Sequence, residues 1–166
     1  MRYLTSNGIP SCVLDIGVGS GYYGTVAKAL NPDCTTYGVD IFAPNLEQKR
    51  VKEAYDKVYV SDLTIFDFRV LPHPPWLVIA ADVLEHVSKA DAVMFMSKVR
   101  GLYDWAVVTM PIVDYPQGPM YGNKHETHRH QWKVDEIQSD LGLTLVEDCG
   151  ICGLFEFRRK NQEVYL

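Results

Sequence analysis

The stretch Asp15-Ile16-Gly17-Val18-Gly19-Ser20-Gly21 sets three alternating glycines behind a carboxylate. Glycine lets the backbone take positive φ there and lets a ligand approach without meeting a Cβ. Three more acids close later apolar runs: Asp40 after Thr35 to Val39, Asp62 after Lys57 to Val60, and Asp82 after Trp76 to Ala81. Helix capping accounts for any one of them. Four in succession, each at the end of an apolar run, call for a shared ligand. An ionised carboxylate accepts hydrogen bonds from hydroxyls, amines and ammonium groups and donates none. Asp40 stands 23 residues after Gly17, the spacing at which an acid can take both hydroxyls of a ribose.

Gly19-Ser20-Gly21-Tyr22-Tyr23-Gly24 also fits G-x-G-x-x-G, the dinucleotide fingerprint, so a small NAD-dependent oxidoreductase is one reading. Pyrophosphate, however, wants bare N–H groups at a helix start and no acid beside it. Asp15 and Asp82 would oppose it. A ligand with an ammonium, a sulfonium and a ribose but no phosphate suits those acids, and S-adenosylmethionine is such a ligand.

Histidines supply the second chemistry. His86 opens the segment after the Trp76 to Ala81 run. His125, His128 and His130 fall within six residues of one another in a long polar stretch. All four are acid/base candidates for removing a proton from an acceptor. H-x-x-H-x-H does not set its ligands on one helical face, and no carboxylate pair completes it, so no metal is expected there. Arg129 and Lys124 are candidates for an anionic acceptor group, and Tyr115, Tyr121 and Trp132 for pocket walls.

These residues need a scaffold that brings the run ends together. Short apolar runs alternate with helical patterns, which predicts βαβ units and a parallel sheet. Strands are expected at Cys12 to Ile16, Thr35 to Val39, Lys57 to Val60, Trp76 to Ala81 and Trp105 to Met110. Helices are expected from about Gly21 to Leu30, over Asn45 to Tyr55, up to a stop at Gly101, and from Val134 to Gly142. Ser88-x-x-Asp91 offers a second start to the third of these. Two last strands, Leu143 to Val146 and Leu154 to Phe157, are too close in sequence for a helical crossover and should pair antiparallel. The expected fold is α/β, a doubly wound, mostly parallel seven-stranded sheet with an antiparallel edge strand, formed by residues 1–166 as one domain. In such a sheet ligands bind at the carboxyl ends of the strands, where strand order reverses.

With the motifs placed, the chain resembles the class I S-adenosylmethionine-dependent methyltransferases. VLDIGVGSG matches that family's first motif, YGVDIF the acid ending strand 2, SDL the acid after strand 3, and AADVLEHV the strand 4 motif in its Leu-Glu-His version, seen in small-molecule enzymes. The resemblance covers roughly Cys12 to Phe157. It implies that Asp15, Gly17 and Gly19 hold the methionine end, Asp40 the ribose, Ile41 and Leu63 the adenine with Asp62 on its amino group, and Ala81 and Asp82 the methionine moiety. It implies methyl transfer to a hydroxyl or amine of a small-molecule or sugar acceptor. A macromolecular acceptor with a partner chain, or a non-catalytic binding module, are the alternatives. The family's N-terminal lid helices are mostly missing, since about ten residues precede strand 1 and Asn7-Gly8-Ile9-Pro10 breaks a helix. A homo-oligomer or a partner supplying the lid is therefore left open.

Several classes are set aside. The nucleic-acid amino methyltransferases carry a D/N-P-P-Y turn after strand 4, whereas Pro74-Pro75-Trp76 precedes it here. Cytosine C5 enzymes need a thiolate at the end of strand 4 or 5, and no cysteine stands there. A net charge of −5 argues against nucleic acid or an anionic membrane as partner. Arg158-Arg159-Lys160 reads as a solvated strand end. No apolar run approaches a bilayer's thickness, and the first residues lack a signal-peptide core, so a cytoplasmic location is expected. Cys12, Cys34, Cys149 and Cys152 are expected to be reduced thiols, the last two filling a turn.

Overall fold

The computed structural model describes residues 2–71 and 75–159. Pro74 and Lys160, which figure in the readings above, lie outside them. The chain runs α1 (Arg2–Asn7), β1 (Cys12–Ile16), α2 (Tyr22–Leu30), β2 (Thr35–Asp40), α3 (Ala43–Leu46), α4 (Lys49–Ala54) and β3 (Lys57–Val60). It continues through β4 (Leu77–Ala81), α5 (Lys89–Leu102), β5 (Trp105–Pro111), α6 (Val134–Leu141), β6 (Thr144–Asp148) and β7 (Cys152–Arg158). The strands form one seven-stranded sheet in the order β3-β2-β1-β4-β5-β7-β6. The first five are parallel, and β7 runs antiparallel to both its neighbours. The closing pair is thus antiparallel, with β7 inserted between β5 and the outermost strand β6.

Period-two alternation sorts each central strand's residues between two cores. Cys12, Leu14 and Ile16 of β1 join Val78 and Ala80 of β4 and Ala106, Val108 and Met110 of β5 under α5 and α6. Val13, Leu77, Ile79 and Val107 face the other way, against Leu4 of α1 and Val26 and Ala27 of α2. A strand covered on both faces has no room for polar residues, which explains the unbroken apolar run in β4. The helix expected over Asn45 to Tyr55 is two, α3 and α4, interrupted at Glu47 and Gln48. The helix after β4 does start twice: a 3-10 turn over Leu84–His86, then α5, whose N-cap Ser88 Oγ accepts the Asp91 N–H at 3.2 Å. It runs through Gly101 to Leu102: Gly101 does not take the positive φ of a helix-ending glycine, so the stop expected there falls later, at Tyr103. Gly142, at φ 64°, ends α6 as expected.

α1 packs on the sheet through Leu4, and none of its residues borders the hollow described below. No helix among the described residues is long and apolar enough to cross a membrane. The four cysteines are free thiols, and the Cys149 N–H donates to the Cys152 carbonyl at 3.0 Å across a turn holding Gly150 at φ 87°. At the chain's basic end, Arg158 lies over the Trp105 ring and Arg159 pairs with Asp104.

Candidate functional site

Register brings the strand ends to one level. Ile16, the last residue of β1, pairs with Val39 and with Ala80, and Asp40 pairs with Val60. The residues that follow, Gly17, Asp40 and Ile41, Ser61 and Asp62, and Ala81 and Asp82, therefore leave the sheet side by side. They enclose a hollow of about 350 Å³. It sits beside β1 and β4, where strand order reverses. Of the residues singled out for the ligand, Gly17, Gly19, Asp40, Ile41, Asp62, Leu63, Ala81 and Asp82 all border it.

Asp15 does not. It shares parity with Val13, so its side chain points to the face under α2 and is 1% exposed. There Tyr55 donates its hydroxyl to Asp15 Oδ2 and accepts the Gly24 N–H at 3.0 Å. Burial pushes the Asp15 carboxyl up to about 8, against the opposing pull of the Tyr55 hydrogen bond. Asp15, expected at the ligand, thus lies behind the lining of the hollow and braces the first turn of α2 through Tyr55. The same contact explains Gly24, where a Cβ would stand 2.4 Å from the Tyr55 ring. Gly24 makes room for an aromatic ring and does not serve a phosphate.

The glycine turn is spoken for in the same way. The Gly17 N–H donates to the Val39 carbonyl at 2.8 Å, the Gly21 N–H to the Val18 carbonyl at 2.8 Å, and the Gly19 N–H to Asp40 Oδ2 at 2.9 Å. Gly17 has φ 76°, and a Cβ there would lie 2.3 Å from Val83 Cγ2. Backbone approaches side chain there as closely as glycine allows.

Asp40, 6% exposed, is oriented by three donors. Oδ2 accepts from Gly19 N–H and, at 3.0 Å, from Asn45 Nδ2, while Oδ1 accepts from Phe42 N–H at 2.8 Å. A carboxylate offers roughly four lone-pair sites, so Oδ1 keeps one for a further donor. Asp62 Oδ1 accepts the Thr64 N–H at 2.9 Å, closing the turn after β3. Asp82 holds a left-handed φ of 54°, with its Oδ1 accepting from Thr109 Oγ1 at 3.2 Å. None of these three acids forms a salt bridge within the protein among the described residues.

At the other end of the hollow, the loop after β5 folds back over the Leu84–His86 turn. The Arg129 and His130 N–H groups donate to the Glu85 carbonyl at 2.7 and 3.3 Å. Buried Asn123 organises the middle of the loop, accepting the His125 N–H at 2.9 Å and donating to Glu126 Oε1 at 2.9 Å. His86, His125 and Arg129 border the hollow. Burial lowers the His86 pKa from its ordinary value and so favours the neutral ring. His128 and His130 do not border it. His128 packs edge-on against His86 with ring centroids 4.9 Å apart. His130 packs against Trp132 at 4.5 Å and faces Glu136. Trp132 is 2% exposed, a core residue and no pocket wall, and Tyr121 is 94% exposed.

Asn45, Val83, Asn123 and Glu126 also border the hollow and escaped the sequence reading. Val83 lies inside the strand 4 motif and carried a signal. The others are brought in by loops, and their positions follow from no local pattern.

No protein-family profile matches the sequence, and no curated protein does. Solved structures do match in shape. The small RNA methyltransferase HEN1 superposes with a TM-score of 0.71 at 19% identity, over 96% of this chain and 24% of that one. Human N-acetylserotonin methyltransferase, solved in complex with SAM, gives 0.68 at 16% identity, over 95% and 51%. The N-methyltransferase NodS from Bradyrhizobium japonicum gives 0.63 at 18% identity, over 95% and 90%. The chain spans well under two thirds of the length of the first two. Its seven-stranded mixed sheet, wound with helices on both faces, is the α/β fold of these methyltransferase structures.

Proposed function

We propose that the chain binds S-adenosylmethionine in this hollow and transfers its methyl group to a hydroxyl or amine of a small-molecule or sugar acceptor. The observation that carries the reading is the convergence of Asp40, Asp62 and Asp82 on one cavity whose glycine turn has no N–H to spare at Gly17, Gly19 or Gly21. Carboxylates that answer no internal cation suit a positively charged nucleoside. An N–H cradle already filled does not suit pyrophosphate, which weighs against the NAD reading.

The residues fit the cofactor's parts. Asp40, fixed by three donors, presents Oδ1 to a ribose hydroxyl. Ile41 and Leu63 supply apolar contact for a base, and Asp62 an acceptor for its amino group. Gly17, Ala81 and Asp82 lie at the amino-acid end. Bound S-adenosylmethionine supplies an electrophilic methyl on a sulfonium. The chain's part is to align the acceptor, exclude water and take a proton. His86, His125 and Arg129 border the hollow; the two histidines are the proposed proton acceptors, and Arg129 the proposed partner of an anionic group on the acceptor. A net charge of −5 and an acidic rim favour a small acceptor over a polyanion. The solved likeness to an RNA methyltransferase makes RNA the comparison to run.

The test is methyl transfer from isotopically labelled cofactor to pooled sugars, hydroxylated metabolites and amines, with RNA in parallel. Label in a small acceptor, reduced in His86→Ala, is expected. Label in RNA alone would move the acceptor to the macromolecular class. Cofactor binding with no transfer to any pool would leave a binding module.

A further inference from the structure

The loop after β5 sets His128 against the turn that carries Glu85 and His86, and one ligand atom from each lies within 4.8 Å of the other two. Two of these side chains hold polar atoms that nothing among the described residues satisfies. Glu85 is 2% exposed, and its Oε2 has no hydrogen-bond partner among the described residues. His86 Nδ1 is buried and equally unpartnered. A buried carboxylate oxygen without a partner is costly and calls for an explanation.

His128 explains more. Its Nδ1 lies 2.6 Å from the Tyr115 carbonyl. A carbonyl only accepts, so Nδ1 carries the proton and Nε2 keeps the lone pair. A histidine that ligates a metal typically spends its other ring N–H on just such a carbonyl. We infer that Glu85, His86 and His128 form a binding site for one first-row divalent transition cation, of the Mn²⁺, Co²⁺ or Zn²⁺ class.

The chemistry of the set supports this. Two imidazoles and one carboxylate are the ligands that such ions take, and three protein ligands leave a position for water or an oxygen of another molecule. Metal bonds of about 2.1 Å in tetrahedral geometry put ligand atoms about 3.4 Å apart. Closing from the present spacing takes side-chain adjustments of an ångström or so. The surroundings are acidic: Asp82 and Glu126 border the same hollow as His86. The sequence pattern H-x-x-H-x-H suggested no site because only His128 of it is a ligand and the other two come from another segment. Glu85 and His86 sit some forty residues before His128 and meet it only through the fold.

The site opens on the hollow through His86, the one member that borders it. A cation on Nδ1 commits that lone pair, so a loaded site leaves His125 as the histidine free to take a proton. The cation itself would polarise an acceptor oxygen.

The test needs no cofactor, so its outcome is separate from the methyl-transfer reading. The full chain, stripped with chelator, is titrated with Co²⁺ by visible absorption and with Mn²⁺ and Zn²⁺ by calorimetry. One cation per chain is expected, with affinity at least tenfold weaker in both Glu85→Gln and His128→Ala and unchanged in His130→Ala, whose ring faces Trp132 and Glu136. The cation should raise the melting temperature of the wild type and of His130→Ala but not of Glu85→Gln. His128 is partly exposed, so His128→Ala keeps the test alive should Glu85→Gln fail to fold. Absence of saturable binding by all three ions would overturn the site, and so would binding that both ligand variants leave untouched.

Discussion

Tyr55→Phe removes one oxygen and keeps the ring, and the structure says what that oxygen does. It accepts the Gly24 N–H at 3.0 Å and donates to Asp15 Oδ2. Phenylalanine leaves a buried amide at the start of α2 without an acceptor and a buried carboxyl without a donor, since Asp15 Oδ1 has no partner either. Each stranded buried group costs about 1–2 kcal/mol, so the change should cost about 2–4 kcal/mol. For a chain of this size that is a fall in melting temperature of roughly 4–16 °C. The measurement is urea unfolding of Tyr55→Phe, Asp15→Asn and the double variant. The two sites should couple by about 1 kcal/mol or more, because they share one hydrogen bond. Circular dichroism should show the fold retained. A loss under about 0.5 kcal/mol in Tyr55→Phe, or strict additivity with Asp15→Asn, would refute the claim that this pair braces the glycine turn.

Asp15 also predicts a pH dependence. Its folded pKa is raised from 3.8 to about 8, so the native state holds a proton in that interval which the unfolded chain has lost. Stability from this group is full below about pH 4, declines as pH rises towards 8, and is flat above; Asp15→Asn should flatten that slope in urea titrations at several pH values. Gly17→Ala forces a Cβ to 2.3 Å from Val83 Cγ2 at a φ of 76°. It should lower stability by about 1–3 kcal/mol, and adding Val83→Ala should recover only part, since the backbone strain remains. On the proposed function, His86→Ala should lower turnover with little change in cofactor affinity, read from kcat against a cofactor titration, because its ring borders the hollow and is assigned no part in holding the cofactor.

Much of the fold was legible because β1, β4 and β5 are covered on both faces and so read as apolar runs, unbroken in β4 and interrupted only by Asp15 in β1 and Thr109 in β5, while α2 and α6 announce their ends with Asn31 and Gly142. The insertion of β7 beside β5 was not, since strand order is a non-local choice. The break between α3 and α4 was missed because Asn45 to Tyr55 has a weak apolar face throughout. In the site, the acids that follow a strand's last residue were readable as rim residues. Asp15, inside its strand, obeys strand parity instead, and parity sends it under α2. The histidines of the loop after β5 looked equivalent in sequence. Only the path of that loop over Leu84–His86 sends His125 to the hollow, His128 to His86 and His130 to Trp132.

The most direct test of the central claim, an acid-rimmed hollow built for a positively charged nucleoside, is calorimetric titration of the purified chain with S-adenosylmethionine and with NAD. Saturable binding of S-adenosylmethionine and none of NAD is predicted, with Asp40→Asn weakening the former by about 1–3 kcal/mol while the fold persists. Binding of NAD in preference, or an affinity for S-adenosylmethionine indifferent to Asp40→Asn, would contradict it.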